Sequence, residues 1–172
     1  MKFKASGATY LDSENSNSNF SNSNILFSGV LHDKSSKYRR YKTLINFDLS
    51  RLDSYPIETA YLCLFVSSIN SDSSYFSNNL LSVNRNISNF NLKSVDWDTS
   101  PSTDSPIDFS IDSNSVGKYV SLNITHLMRY WIESGNNYGI SIEEQNFYSS
   151  LIQFNNINSN NPPWLLVEYK SS

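Results

Sequence analysis

The chain of 172 residues carries one cysteine, two histidines, five glycines, five prolines and three alanines. A lone cysteine, Cys63, rules out an intrachain disulfide framework. It lies inside an apolar run, where a thiol is expected to be buried and structural rather than reactive. Five glycines do not suffice for a loop that cradles phosphate, and His32 and His126 do not stand at a metal-ligand spacing. His32 reads as a loop residue and His126 as a solvated residue in the first turn of a helix. Neither a nucleophile elbow nor a zinc ribbon occurs. No apolar run is long enough to cross a bilayer, and the opening residues MKFKASGATYLD lack the apolar core of a signal peptide. This predicts a soluble module, either part of a larger secreted protein or a protein that leaves the cell without a cleaved signal. Net charge is −3 with acids and bases scattered, so there is no basic stripe for nucleic acid and no polybasic anchor for a membrane.

Asn and Ser together make up roughly a third of the chain, and aromatic residues 14%. The Asn and Ser suit a surface that hydrogen-bonds sugars, although AT-rich codon usage, which favours Asn, Lys, Ile, Tyr and Phe over Ala, explains the bias more plainly. Aromatic enrichment favours strands and argues against disorder. The length fits one domain over residues 1–172, able to bury about two-thirds of its unfolded surface without staples.

Strand patterns fall at residues 8–11, 25–27, 41–47, 57–66, 80–83, 107–111, 119–124, 138–142, 151–154 and 164–169. Clusters of Asn, Asp, Ser and Pro separate them. Tyr41, Thr43, Ile45 and Phe47 alternate with Arg40, Lys42 and Asn46, the period of a half-buried strand. The next run is apolar on both faces, as in the middle of a packed sheet. NSNSNFSNSN, residues 15–24, reads as a long surface loop. Ile124, Leu127, Met128 and Trp131 share one helical face, with Asn123 or Thr125 able to cap the start and Gly135 the end. The pattern predicts an all-β, antiparallel β-sandwich of jelly-roll type with one short helix.

Reactive groups are few. The carboxylates Asp96 and Asp98 flank Trp97, and Glu143 adjoins Glu144. A turn claims the first pair and strand alternation splits the second, so neither reads as a catalytic dyad, and no catalytic residue is assigned. A structural calcium ion suits oxygen ligands better, and Asp12, Glu14 and Glu168 meet if the terminal strands pair. For ligand binding the candidates are Arg39, Arg40, Tyr41, Tyr75, Phe76, Phe147 and Tyr148. Paired aromatic residues in polar loops suit stacking on a sugar ring, and the two arginines suit a carboxylate. The arginines equally suit a charged edge strand. Trp97 and Trp164 either join such a face or plug the ends of the sandwich.

In these segments the chain resembles the DNRLRE domain family, β-sandwich modules of bacterial and archaeal surface and secreted proteins. The resemblance lies in the Asn-rich approach to Ile25, Leu26, Phe27, Ser28 and Gly29. It continues through Arg40 with the block Asn46-Phe47-Asp48-Leu49-Ser50 and Leu52, and through Ile57, Ala60, Leu62, Leu64 and Val66. Val83-Asn84-Arg85, Val95-Asp96-Trp97 with Pro101, residues 121–131 with Asn137-Tyr138-Gly139-Ile140, and Pro163, Leu165, Val167 and Tyr169 complete the ordered set. Ala8 stands where the family often has Asp, and Phe90 where it usually has a tryptophan. The resemblance implies a noncatalytic module riding beside enzymes and adhesins, some members binding carbohydrate, including acidic polysaccharides such as alginate. The partner expected is therefore a polysaccharide, at the cell surface, at a spore surface or in a secreted setting. The alternative is a structural subunit of a surface layer or appendage, whose partners are other copies of itself.

Overall fold

A computed structural model describes residues 1–32, 37–70 and 79–171. Ten strands and one α-helix follow the chain as β1 (Lys2–Asp12), β2 (Ile25–His32), β3 (Tyr38–Phe47), β4 (Ile57–Asn70), β5 (Leu80–Asn86), β6 (Thr103–Ser110), β7 (Lys118–Asn123), α1 (Thr125–Ser134), β8 (Ile140–Glu144), β9 (Leu151–Asn155) and β10 (Trp164–Tyr169). All their pairings are antiparallel. The first layer is built on β4, which pairs with β10, β7 and β9. The second runs from β3 through β8 and β5 to β6.

Two strands belong to both layers. Lys2, Phe3 and Lys4 pair with β10, and beyond an irregularity between Ala5 and Gly7 the rest of β1 pairs with β3. Residues 25–28 of β2 pair with β9, and residues 29–32 with β3. Irregular strands that switch sheets are how a sandwich turns its corners. At the second switch Gly29 has φ +113°, and a Cβ there would overlap the Ser150 carbonyl oxygen. Only glycine meets both demands.

The core follows from alternation. Ala60, Leu62, Leu64 and Val66 of β4 are fully buried, against Ile45, Ile140, Ile142, Leu165, Val167, Ile152 and Phe154. Their neighbours Tyr61, Cys63 and Phe65 are only half-buried. Cys63 is therefore not the buried core thiol expected from the sequence. The run is apolar on both faces, but only its even-numbered side is sealed, and the Cys63 Sγ lies 3.5 Å from Ser121 Oγ near the surface. The helix forms where its periodicity predicts and buries Leu127, Met128 and Trp131, with Ile124 just before it. Asn123 Oδ1 accepts from the Thr125 N–H at 3.0 Å, and Gly135 closes the helix in the left-handed conformation with φ 70°.

The strands are longer than expected at several ends. β1 starts at Lys2, β2 extends to His32, a residue expected in a loop, and β4 runs on through polar residues to Asn70 after a bulge between Val66 and Ser68. Residues 13–24 do form a loop, and its asparagines pin it. Asn19 Nδ2 donates to the carbonyls of Leu92 and Val95, at 3.0 and 2.6 Å, and Asn156 Nδ2 donates to the Ser23 carbonyl at 2.7 Å. The Asn19 bonds hold segment 87–102 over the outer side of β1 and β3, where Leu11, Leu44 and Val95 form a second small core beside Phe90 and Trp97.

Candidate functional site

Successive strand residues point to opposite faces, and β3 divides its two arginines accordingly. Arg39 turns to Asp12, donating from Nε to Oδ1 at 2.9 Å and from Nη2 to Oδ2. Asn15 Nδ2 and the Glu14 N–H complete the acceptor shell of Asp12 at 2.8 and 3.0 Å. Burial works to raise the Asp12 pKa, but these hydrogen bonds, led by Arg39, outweigh it and hold the carboxyl below its ordinary range. Tyr41, two residues on, is buried in an aromatic group. Its ring lies 5.4 Å from Phe27 and 6.0 Å from Tyr10, which stacks on Phe20 at 4.4 Å. Burial, followed by the Asp12 charge, pushes the Tyr41 hydroxyl up to about 12. Arg39 and Tyr41 therefore brace the end of the sandwich and the start of the Asn-rich loop.

Arg40 points outward. Its guanidinium carbon lies 5.0 Å from the centroid of the Trp97 indole and 5.8 Å from that of Phe147. Phe147 in turn lies 5.5 Å from Tyr38, and both rings are exposed, at 52% and 42%. Lys42, two residues along the same face, places its Nζ 5.4 Å from the Trp97 ring and 3.0 Å from Glu143 Oε2. Asn84 Nδ2 donates to the other Glu143 oxygen at 2.9 Å. Glu144 approaches Arg40 at 3.5 Å, a loose contact. Its own carboxyl is mostly buried, and that burial, more than any neighbouring charge, raises its pKa. The result is an outer face of three rings with two cations beside them and the Glu143 carboxylate at one side, braced from below by the buried Asn84 amide.

The remaining predicted site residues are scattered. Tyr148 is 49% exposed beside Phe147, with its N–H held by Asn146 Oδ1. Tyr75 and Phe76 lie outside the described residues. Asp12, Glu14 and Glu168 are not brought together. β10 pairs with the first residues of β1, Lys2 facing Leu166, whereas Asp12 is at the far end of that strand facing Tyr41. Glu168 instead accepts from Thr59 Oγ1 at 2.6 Å. The terminal strands do pair, as the calcium expectation required, but in a register that carries Glu168 away from Asp12. Among the described residues no group of three or more His, Cys, Asp or Glu side chains is arranged to hold a metal ion, and no helix is long and apolar enough to cross a membrane.

Lys42, Asn84, Glu143 and Glu144 are not among the binding residues expected from the sequence. The signal for Lys42 was present, since it shares the strand face of Arg40. Asn84 and Glu143 join only through the pairing of β5 with β8 and β8 with β3.

The arrangement is thus a β-sandwich with an outer face of aromatic rings and charged side chains. The model of Carbohydrate-binding module family 96 matches residues 1–169, and the chain belongs to that family. The match agrees with the expectation of a carbohydrate-binding module and does not carry the DNRLRE name. No curated protein matches the chain.

Proposed function

We propose that this carbohydrate-binding module holds an acidic polysaccharide across the outer face of β3 and β8, without catalysis. The observation that carries the reading is the position of Arg40 between the Trp97 and Phe147 rings, at 5.0 and 5.8 Å. Rings spaced along a shallow surface give sugar faces a place to stack, and an arginine between them meets a carboxylate substituent in bidentate fashion. Lys42 and Glu143 offer a donor and an acceptor to hydroxyl groups, and Asn84, buried beneath, steadies the Glu143 carboxylate. Such polymers are found outside cells and on their surfaces, and that is the setting this reading carries with it.

The test is retention on a panel of immobilised polygalacturonate, alginate, xylan and cellulose at low and raised salt, for the native chain and for Arg40→Ala and Trp97→Ala. The expected result is retention on the acidic polymers that weakens with salt and falls about tenfold in each variant. Retention confined to neutral polymers removes the role given to Arg40. Retention unchanged in both variants moves the site elsewhere.

A further inference from the structure

The outer side of the other layer carries a second array of rings. Through the pairing register, Lys4 of β1 lies opposite Trp164 of β10, Trp164 opposite Cys63 of β4, and Cys63 opposite Ser121 of β7. One step along, Phe65 faces Tyr119, and in the other direction Lys2, Leu166, Tyr61 and Asn123 form a parallel row. All of these side chains alternate with core residues and so share the outward face. The rings are fixed in place. Trp164 Nε1 donates to the Tyr119 hydroxyl at 3.1 Å, that hydroxyl donates to the Pro162 carbonyl at 2.9 Å, and Tyr119 meets Phe65 edge to face at 5.4 Å. Lys2, Cys63, Tyr119, Trp164 and Leu166 line a depression of about 220 Å³.

These tryptophan and tyrosine rings therefore do not plug an end of the sandwich. They lie half-exposed in the middle of a sheet face, with ammonium groups along one margin and the Ser121 hydroxyl and Asn123 amide along the other. Neither Lys2 nor Lys4 is in an ion pair among the described residues. Trp164, flanked on the neighbouring strand by Lys4, repeats the chemistry of Trp97 beside Arg40 and Lys42.

We propose that this face is a second polysaccharide site, so that one molecule of the module bridges two chains of an acidic polymer. The proposal rests on the binding reading given above and adds a separate site to it. The occupant is an anionic sugar chain because the face joins a flat aromatic surface to two ammonium groups that are in no ion pair among the described residues, while the carboxylate on the same face, Glu168 one row beyond Leu166, is held by Thr59 Oγ1. The two faces are outer sides of opposite layers, so a polymer on one leaves the other free. A bridging module stiffens a polymer network, whereas a one-faced module only decorates it.

The experiment is a capture assay. Beads coated with polygalacturonate or alginate are saturated with the protein, washed, and offered the same polymer in soluble, fluorescent form, while sedimentation fixes the oligomeric state. The variants are Lys2→Glu with Lys4→Glu, which alters only exposed charges, and Trp164→Ala, with its fold checked by circular dichroism. The expected result is a monomeric native protein that captures soluble polymer. In both variants retention on the beads persists but capture drops at least about tenfold.

Native protein that is retained yet captures nothing overturns the second site and leaves the first reading standing. Capture by the double lysine variant equal to the native level also overturns it. A native dimer that the lysine variant dissolves shows a contact between copies and overturns it as well. Absence of retention on either polymer removes both readings together.

Discussion

Arg39 and Arg40 are adjacent in the chain and work on opposite sides of one strand. The first forms a bidentate bridge to the buried Asp12, and the second lies over Trp97 on the surface. Strand alternation makes this division obligatory, so neither arginine can stand in for the other. One serves the fold, and its neighbour is the residue proposed to meet a ligand.

Substituting each in turn should separate the two roles. Arg39→Ala leaves Asp12 buried with two donors in place of four and is expected to cost about 1–3 kcal/mol of stability, read from urea unfolding, with polymer retention intact. Arg40→Ala is expected to change stability by no more than about 0.5 kcal/mol while retention falls. The opposite pairing of effects refutes the division.

Acid should reveal the Asp12 bridge. The folded-state pKa of Asp12 lies below its unfolded value, so the unfolded chain binds the proton more readily, and stability is lost as pH falls below about 4 through the folded value. The native chain is therefore expected to lose urea resistance steeply below pH 4. In Asp12→Asn the curve starts lower at neutral pH and flattens in that window. Equal slopes in the two proteins remove Asp12 from the acid response.

Glu144 works with the opposite sign. Burial raises its folded-state pKa, so the folded chain keeps this proton to higher pH than the unfolded chain. Stability falls as pH rises from about 4.3, the unfolded value, through the folded one. Glu144→Gln is expected to raise the urea midpoint at pH 7 but not at pH 4, and to strengthen retention on acidic polymers by removing the charge beside Arg40. A lower midpoint at pH 7 contradicts the stability argument, and weakened retention contradicts the ligand argument.

Gly29→Ala tests the corner. A residue with φ +113° whose Cβ meets the Ser150 carbonyl has to shift backbone in β2 or in the segment before β9. The expected loss is about 2 kcal/mol or more, seen as a lowered thermal midpoint. An unchanged midpoint shows that the corner relaxes freely.

Removing divalent ions should do nothing to stability. Asp12 is saturated by Arg39, Asn15 and the Glu14 N–H, and Glu168 lies near the other end of β1. Thermal unfolding with and without a chelator is expected to coincide, and a drop of several degrees means that a cation site exists elsewhere in the chain.

Much of the fold can be read from local pattern. The alternation in β3 and β4, the helical face from Ile124 to Trp131 and the Gly135 stop each depend on spacing within one element, and each stands where the pattern puts it. Half of the proposed ligand face is legible for the same reason, since Arg40 and Lys42 share one side of a strand. The other half is not. Trp97 reaches Arg40 because Asn19 and Ser16 hold segment 87–102 over β3, and Phe147 arrives from the loop after β8. Contacts between segments far apart in sequence leave no periodicity to detect. The Asp12, Glu14 and Glu168 set failed on register, because pairing of the terminal strands is readable from their patterns but its offset is not. Cys63 was misplaced because an apolar residue on an open sheet face and one in the core look alike in sequence.

β1 also sets the order in which the molecule can be completed. Thr9 meets Leu44 early in the chain, but Lys4 waits for Trp164, near its end. A chain emerging from the ribosome can form much of one layer, yet its first strand keeps an unpaired edge until the last one is made. The two layers then close through shared strands and have no seam along which to part. Hydrogen exchange in both layers should therefore slow together, as one cooperative unit rather than two.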